Sequence, residues 1–184
     1  AAETVAVDVA GRRGSTRVEQ DEQPYKADLE RIAALRPAFA TDGTVTAANA
    51  SSISDGAAAL LLMRASQAER RGLRARARVL AHSTHAQAPA LFTTAPVQAL
   101  QRLLNRLGKR AADIDLFEIN EAFAVVTMAA MQELDLPHEK VNVHGGACAL
   151  GHPVGASGAR IVVTLLNALE RFDLDLGVAA LCIG

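Results

Sequence analysis

The chain reads as an α/β protein: a mixed, mainly parallel sheet covered by helices, with part of a loop-like subdomain ahead of it. Three observations carry that expectation. Half of the 184 residues are hydrophobic and only 21% are charged, which suits a buried interior rich in Ala, Val and Leu rather than a disordered chain. From residue 53 onward, short apolar runs alternate with stretches of helical spacing, the pattern of helices packed on the faces of a sheet. Residues 1–52, apart from one hairpin, are polar and irregular. The length fits one compact domain with an appendage.

The elements follow in order. Residues 4–18 predict a hairpin, because VAVDV runs through Gly11-Arg12-Arg13-Gly14 into Thr16-Arg17-Val18. From Asp28 to Leu35 the helical pattern is broken, and Pro37 stops it. Residues 57–63 are wholly apolar; periodicity does not assign such a run, but its length and the preceding Gly56 favour a buried strand. Ser66 and Glu69 form an S-x-x-E capping box opening a helix that Arg70, Arg71 and Gly72 end. Residues 74–79 alternate Arg with Ala or Val, which predicts a strand with one wet face. Pro96 opens a helix with Val97, Leu100, Leu103, Leu104 and Leu107 on one stripe, ended by Gly108. A strand over 116–119, a helix over 121–134, a strand over 141–143, a glycine-rich loop, a helix over 156–170 and a strand over 177–183 complete the pattern. That last strand runs into the end of the chain with no polar tail, which predicts that the sequence is part of a longer protein.

Composition narrows the function classes. A formal net charge of −1 supplies no basic field for a phosphate backbone, and aromatic residues for base stacking make up only 3%, so no nucleic acid partner is expected. No apolar segment approaches the roughly 20 residues of a membrane-spanning helix, and no membrane partner is expected. Cys148 and Cys182 are too few for a disulfide framework and lack metal-ligand spacing, so no metal is expected and a reducing compartment is.

Ligands of such sheets bind where loops leave the carboxyl ends of strands. Three of those loops carry unusual residues: Asn120, residues 148–158, and residues 182–184. The run GGACALGHPVGASGAR, residues 145–160, fits neither a P-loop nor a dinucleotide fingerprint, since Gly151, Gly155 and Gly158 are spaced G-x-x-x-G-x-x-G. Within it His152 is restricted by Pro153, and a rigidly held histidine is a candidate acid, base or hydrogen-bond donor. The alternative is that the glycines serve helix–sheet packing and His152 caps a backbone group. Asn120, opening NEAFA, either orients a water or oxyanion, or is the N-cap of the next helix. Glu121 either serves that helix's dipole or holds Asn120 or a histidine in place. Cys182 is either a small core hydrophobe or a thiol placed to take and return a proton.

Taken together, NEAFA, then GGA-x-A-x-GHP-x-G-x-SGAR, then CIG, about thirty residues apart, resemble the C-terminal signatures of thiolases. LRPAF-x-x-x-GTVTAANAS-x-x-SDGAAA, residues 35–59, resembles them too, so the likeness covers nearly the whole chain. Related condensing enzymes of the ketoacyl synthase type place a histidine where NEAFA and CIG stand, so the pair Asn120 and Cys182 favours a thiolase.

The resemblance implies a thiolase-like half-fold, with residues 1–52 as the tail of the loop domain and residues 53–184 as the C-terminal domain, truncated at its end. It implies an acetyl-CoA acetyltransferase: reversible Claisen condensation of two acetyl-CoA, or thiolysis of a 3-ketoacyl-CoA. The nucleophilic cysteine would precede residue 1, and Cys148 would be packing. His152 would activate that nucleophile and then, with a water held by Asn120, form the oxyanion hole for the enolate. Cys182 would be the acid/base at the α-carbon, and Gly184 would offer its N–H to the tetrahedral intermediate. Ser51 would contact the pantetheine of coenzyme A, and Ala122 and Phe123 would line the acyl pocket. The arginines from Arg70 to Arg78 are read as solvated structural groups. The coenzyme A thioester would be substrate, with no separate cofactor. The implied partners are an acyl-CoA, the N-terminal half of the enzyme and further copies in a homodimer or homotetramer, in the cytoplasm and in fatty acid metabolism. The alternative is that the chain alone is an inactive fragment, a folded partner or coenzyme A-binding module.

Overall fold

The computed structural model describes residues 3–183, so Gly184 lies outside the described residues. The chain opens with the expected hairpin, β1 (Val7–Gly11) and β2 (Gly14–Val18), antiparallel with Val7 opposite Val18 and Gly11 opposite Gly14. Gly14 has φ +118°, a conformation that a side chain rarely permits, and this closes the turn. A single helical turn, α1 (Gln23–Lys26), follows where irregular chain was expected, with Pro24 in its first turn, where the missing N–H costs nothing. The broken helical pattern becomes a 3₁₀ stretch, Leu29–Ala34. Its Leu29 and Ile32 are exposed, with no core beneath them among the described residues.

The core lies further along. Helix α2 (Ala65–Arg70) is followed by α3 (Ala95–Leu107), β3 (Leu116–Ile119), α4 (Ala124–Leu134), α5 (Ala147–Leu150), α6 (Ser157–Phe172) and β4 (Gly177–Ala180). Strands β3 and β4 pair in parallel, Leu116 with Gly177 through Ile119 with Ala180. Every residue of β3 is buried, as expected of a strand covered on both faces. Its side chains alternate: Phe117 and Ile119 enter a cluster with Val97, Leu100 and Leu104 of α3 and Val126 and Ala130 of α4. Leu116 packs on the other face with Leu165 and Ala168 of α6. Helix α6 approaches so closely that a side chain at Gly177 would lie 2.6 Å from Leu165 Cδ1. The stripe on α3 is realised, with Val97, Leu100 and Leu104 buried and Gly108 left-handed at φ +62° to end the helix.

Several sequence expectations are corrected. Residues 57–63 and 74–79 are not strands: they run without a partner, and Leu61, Leu62 and Val79 are exposed. A strand exists only where a neighbour takes its N–H and C=O groups, and no strand lies beside these segments among the described residues. The capping box is absent, since α2 has Arg64 at its N-cap and places Ser66 inside the helix; Gly72, at φ +62°, does end it. The helix expected from residue 121 begins at Ala124, with Phe123 as its N-cap, because Phe123 first forms an antiparallel bridge with Ala50. The strand over 141–143 is reduced to a parallel bridge between Val141 and Phe117, since Asn142 turns the chain at φ +49°. The final strand stops at Ala180. No helix among the described residues is long and apolar enough to cross a membrane.

Candidate active site

Asn120 stands at the carboxyl end of β3 and is completely buried. Its N–H donates to the carbonyl of Ala180 at 2.9 Å, extending the parallel ladder by one bond. It is not a helix cap, because the helix begins only at Ala124 with Phe123 as its N-cap, after a tight turn in which the N–H of Ala122 donates to the carbonyl of Asn120 at 3.1 Å. By strand alternation its side chain shares the α6 face with Glu118. There its amide nitrogen lies 3.5 Å from Nε2 of His152, at the outer limit of a hydrogen bond, while its Oδ1 is buried without a partner among the described residues.

His152 sits in the loop between α5 and α6. Gly151, at φ +87°, turns the chain just before it and packs so closely on Ser54 that no side chain fits. The N–H of His152 donates to the carbonyl of Ser52 at 2.9 Å, within a parallel bridge to Ile53. The histidine is thus registered by the segment carrying the SDGAAA motif. Its Nδ1 lies 2.6 Å from the hydroxyl of Ser157, the first residue of α6. Burial, and then the charge of Arg160, hold the imidazole below the ordinary histidine value, which favours the neutral base.

Glu121 lies outside the helix it was expected to serve, and among the described residues it hydrogen-bonds neither Asn120 nor a histidine directly. Its Oε1 accepts from Nδ2 of Asn142 at 3.0 Å and its Oε2 from the N–H of Cys148 at 3.1 Å. Asn142 in turn accepts from the N–H of Ile119 at 2.8 Å and donates to its carbonyl at 2.9 Å, so a side chain replaces the strand that the turn interrupts. Gly146 packs against the Glu121 carboxylate with no room for a Cβ. This bracket ties the glycine-rich loop to the end of β3, and so sets where His152 meets Asn120. The Cys148 thiol within it is pushed up to about 12, by burial first and then by the charge of Glu121, and is no nucleophile near neutral pH.

Cys182 lies two residues beyond Ala180, buried in the same apolar cluster as Ile119 and Leu100, and burial raises its thiol. Among the described residues no hydrogen bond joins it to Asn120 or His152. The structure therefore brings the asparagine and the histidine together and leaves the cysteine at the neighbouring strand end.

Ser51 donates both its N–H, at 3.1 Å, and its hydroxyl, at 2.9 Å, to the carbonyl of Ala122. The adjacent Phe123 ring meets Phe39 edge-on at 5.8 Å, so Ser51, Ala122 and Phe123 form one group beside Asn120. Sequence reasoning missed Ser157, Asn142, Phe39 and Glu118. A serine at a helix start reads as a cap, an asparagine in an apolar run reads as a blemish, and Glu118 looked like part of an ordinary strand. Yet Glu118 is buried at 2% exposure, and burial, opposed by the charge of Arg160, pushes its carboxyl up to about 8.

The family profile described as Thiolase, C-terminal domain, matches residues 73–184, and that described as Thiolase, N-terminal domain, matches residues 1–66. The chain belongs to the thiolase family. Among its relatives, "Acetyl-CoA acetyltransferase, cytosolic" from Mus musculus is 51% identical over 185 residues, covering 99% of this thiolase chain and 47% of that protein. "Acetyl-CoA acetyltransferase" from Escherichia coli (strain K12) is 51% identical over 184 residues, covering 100% of the chain and 47% of that protein. The crystal structure of the Bacillus anthracis acetyl-CoA acetyltransferase superposes with a TM-score of 0.93 at 42% identity, over 98% of this chain and 46% of that one. The human mitochondrial 3-ketoacyl-CoA thiolase gives 0.85 at 33% identity, over 97% and 46%. The chain spans just under half the length of these relatives.

Proposed function

We propose that the protein containing this chain is an acetyl-CoA acetyltransferase, joining two acetyl-CoA to acetoacetyl-CoA and CoA, or running the reverse thiolysis. The observation that carries this reading is the contact between the buried amide of Asn120 and Nε2 of His152 at the carboxyl end of β3. A preset donor beside a neutral imidazole, out of bulk water, suits an enolate oxygen better than mobile solvent does. The names of the relatives at about half identity along the whole chain support the substrate class.

In this reading a cysteine from outside these residues takes the first acetyl group as CoA leaves, with His152 accepting the cysteine proton. Cys182 removes the α-proton of the second acetyl-CoA, and its sulfur is the group that returns that proton in thiolysis. Asn120, through a water, and His152 stabilise the enolate, which attacks the acyl carbonyl and releases the cysteine. Gly184 donates its N–H to the tetrahedral intermediate. Ser51 contacts pantetheine, and Ala122 and Phe123 line the acyl pocket. The coenzyme A thioester is substrate, and no separate cofactor or metal takes part.

Residues 1–52 belong to the loop domain and residues 53–184 to the C-terminal domain in this reading. The bare apolar segment at residues 57–63 and the extended residues 74–79 are covered by the N-terminal half. The enzyme is cytoplasmic, serves acyl-CoA metabolism, and assembles as a homodimer or homotetramer. The alternative, that the chain alone is an inactive folded partner or coenzyme A-binding module, is favoured by those uncovered apolar segments.

The test is acetoacetyl-CoA thiolysis by the full-length protein and by its His152→Ala and Cys182→Ala variants. Loss of turnover in both supports the assignment, and normal turnover in either overturns it. Turnover by the 184 residues alone would show that the nucleophile is misassigned.

A further inference from the structure

We propose that Ser157 is a positioning residue whose hydroxyl holds His152 in the tautomer with the proton on Nδ1, leaving the lone pair of Nε2 facing Asn120.

Three contacts agree on one assignment. The group of Asn120 nearest the imidazole is its amide nitrogen, which can only donate, so Nε2 at 3.5 Å has to accept. A neutral imidazole carries one proton, so that proton is on Nδ1. Nδ1–H therefore donates to Ser157 Oγ at 2.6 Å. The hydroxyl has a single hydrogen of its own, and it points to the carbonyl of Pro153 at 3.1 Å. That carbonyl also accepts the N–H groups of Ala156 at 2.7 Å and Ser157 at 2.8 Å, so the hydroxyl shares it, and its 3.1 Å bond and the longer 3.5 Å contact with the Asn120 amide point to the same tautomer.

The surroundings keep this chain of bonds intact. Ser157 has 0% exposure, so bulk water cannot take its place on Nδ1. Its position on α6 is fixed by the helix, whose face covers β3 and β4. Pro153 restricts the histidine's backbone, so ring and hydroxyl meet in one geometry. The chemistry needs this tautomer: a base that takes a proton at Nε2 must present a lone pair there, and on becoming imidazolium it keeps Nδ1–H on Ser157 while Nε2–H turns to the substrate. The charge that bears on the ring is that of Arg160 on α6, which also acts on Glu118 of β3, as does Glu121 just beyond that strand. None of them hydrogen-bonds either ring nitrogen among the described residues, which leaves the hydroxyl as the sole partner of Nδ1 there.

The inference rests on the acetyltransferase reading for its consequence, but not for its measurement. In the full-length protein labelled with ¹⁵N-histidine, long-range proton–nitrogen correlation distinguishes a protonated from a bare ring nitrogen, with His152→Gln used to assign the resonances. The expected result is a protonated Nδ1 and a bare Nε2 for His152, and a mixture of tautomers in Ser157→Ala. A wild-type spectrum with the proton on Nε2 would overturn the proposal, as would an unchanged tautomer in Ser157→Ala. The wild-type spectrum is decisive by itself should Ser157→Ala not fold. In thiolysis, Ser157→Ala is expected to lower kcat by roughly 10- to 100-fold, the loss found when a metal-bound histidine is deprived of the group that orients it, with KM nearly unchanged and recovery in Ser157→Thr. Failure of the acetyltransferase reading would appear as turnover indifferent to His152→Ala, an outcome that leaves the tautomer measurement standing.

Discussion

The side-chain nitrogen of Asn120 and Nε2 of His152 lie 3.5 Å apart although 32 residues separate them in the chain. One residue ends a buried strand, and the other is held on a loop by a bond to Ser52 and a hydroxyl on the following helix. Their meeting depends on the loop staying tied to the strand, so the bracket of Glu121 and Asn142 matters as much as the pair itself.

Removing either member of the pair should cost turnover more than substrate binding. Asn120→Ala is expected to lower kcat for thiolysis by about 10²- to 10³-fold, the usual loss when one preset donor to a developing oxyanion is removed. Steady-state kinetics of the full-length variant check this, and a fall in kcat/KM arising from KM alone would contradict it.

The acid limb of activity should lie below the ordinary histidine value of 6.5. Burial and Arg160 favour the neutral imidazole, so the base is available at neutral pH and is lost only as pH falls through the lowered folded value. The linked stability has the same sign. The unfolded chain binds the proton more readily, so His152's contribution is full above 6.5 and declines as pH drops below it. Arg160→Met removes the cation and is expected to move the acid limb of kcat/KM upward.

Gly146→Ala should destabilise the glycine-rich loop, because the new methyl meets the Glu121 carboxylate. A cost of about 1–3 kcal/mol is expected from overpacking, with a shift of His152 resonances. Denaturant unfolding of the full-length protein measures the first and NMR the second. Unchanged stability would show that the carboxylate swings away freely.

Cys148 should resist alkylation. With its thiol pushed up to about 12, the reactive thiolate at pH 8 is about 10⁻⁴ of the total. Peptide mapping after brief iodoacetamide treatment should find Cys148 unmodified in the folded protein and modified after denaturation. Rapid labelling of the native state would mean that the loop opens.

Much of the fold was legible because certain signals are local. The α3 stripe and the glycine at its end came out as read, since a helix satisfies its own backbone bonds and needs only one apolar face. The β1–β2 hairpin was readable for the same reason, its turn being carried by Gly11 and Gly14. Residues 57–63 were misread because an apolar run reports only a wish for burial, while strand formation depends on a neighbour that local sequence does not name. The start of α4 was misplaced because an antiparallel bridge from Phe123 back to Ala50, 73 positions earlier, keeps Phe123 out of the helix.

Motifs whose order and spacing are written along the chain are enough to place it in its family and to single out Asn120, His152 and Cys182 as residues of interest. Only in the folded chain does Asn120 touch His152, Ser157 occupy the other ring nitrogen, Glu121 bracket the loop through Asn142, and burial lift Glu118. The physical reason is that hydrogen bonds and desolvation are set by distances between side chains from different elements. A motif records which groups are present, and only the packing of α6 against β3 brings them within reach of one another.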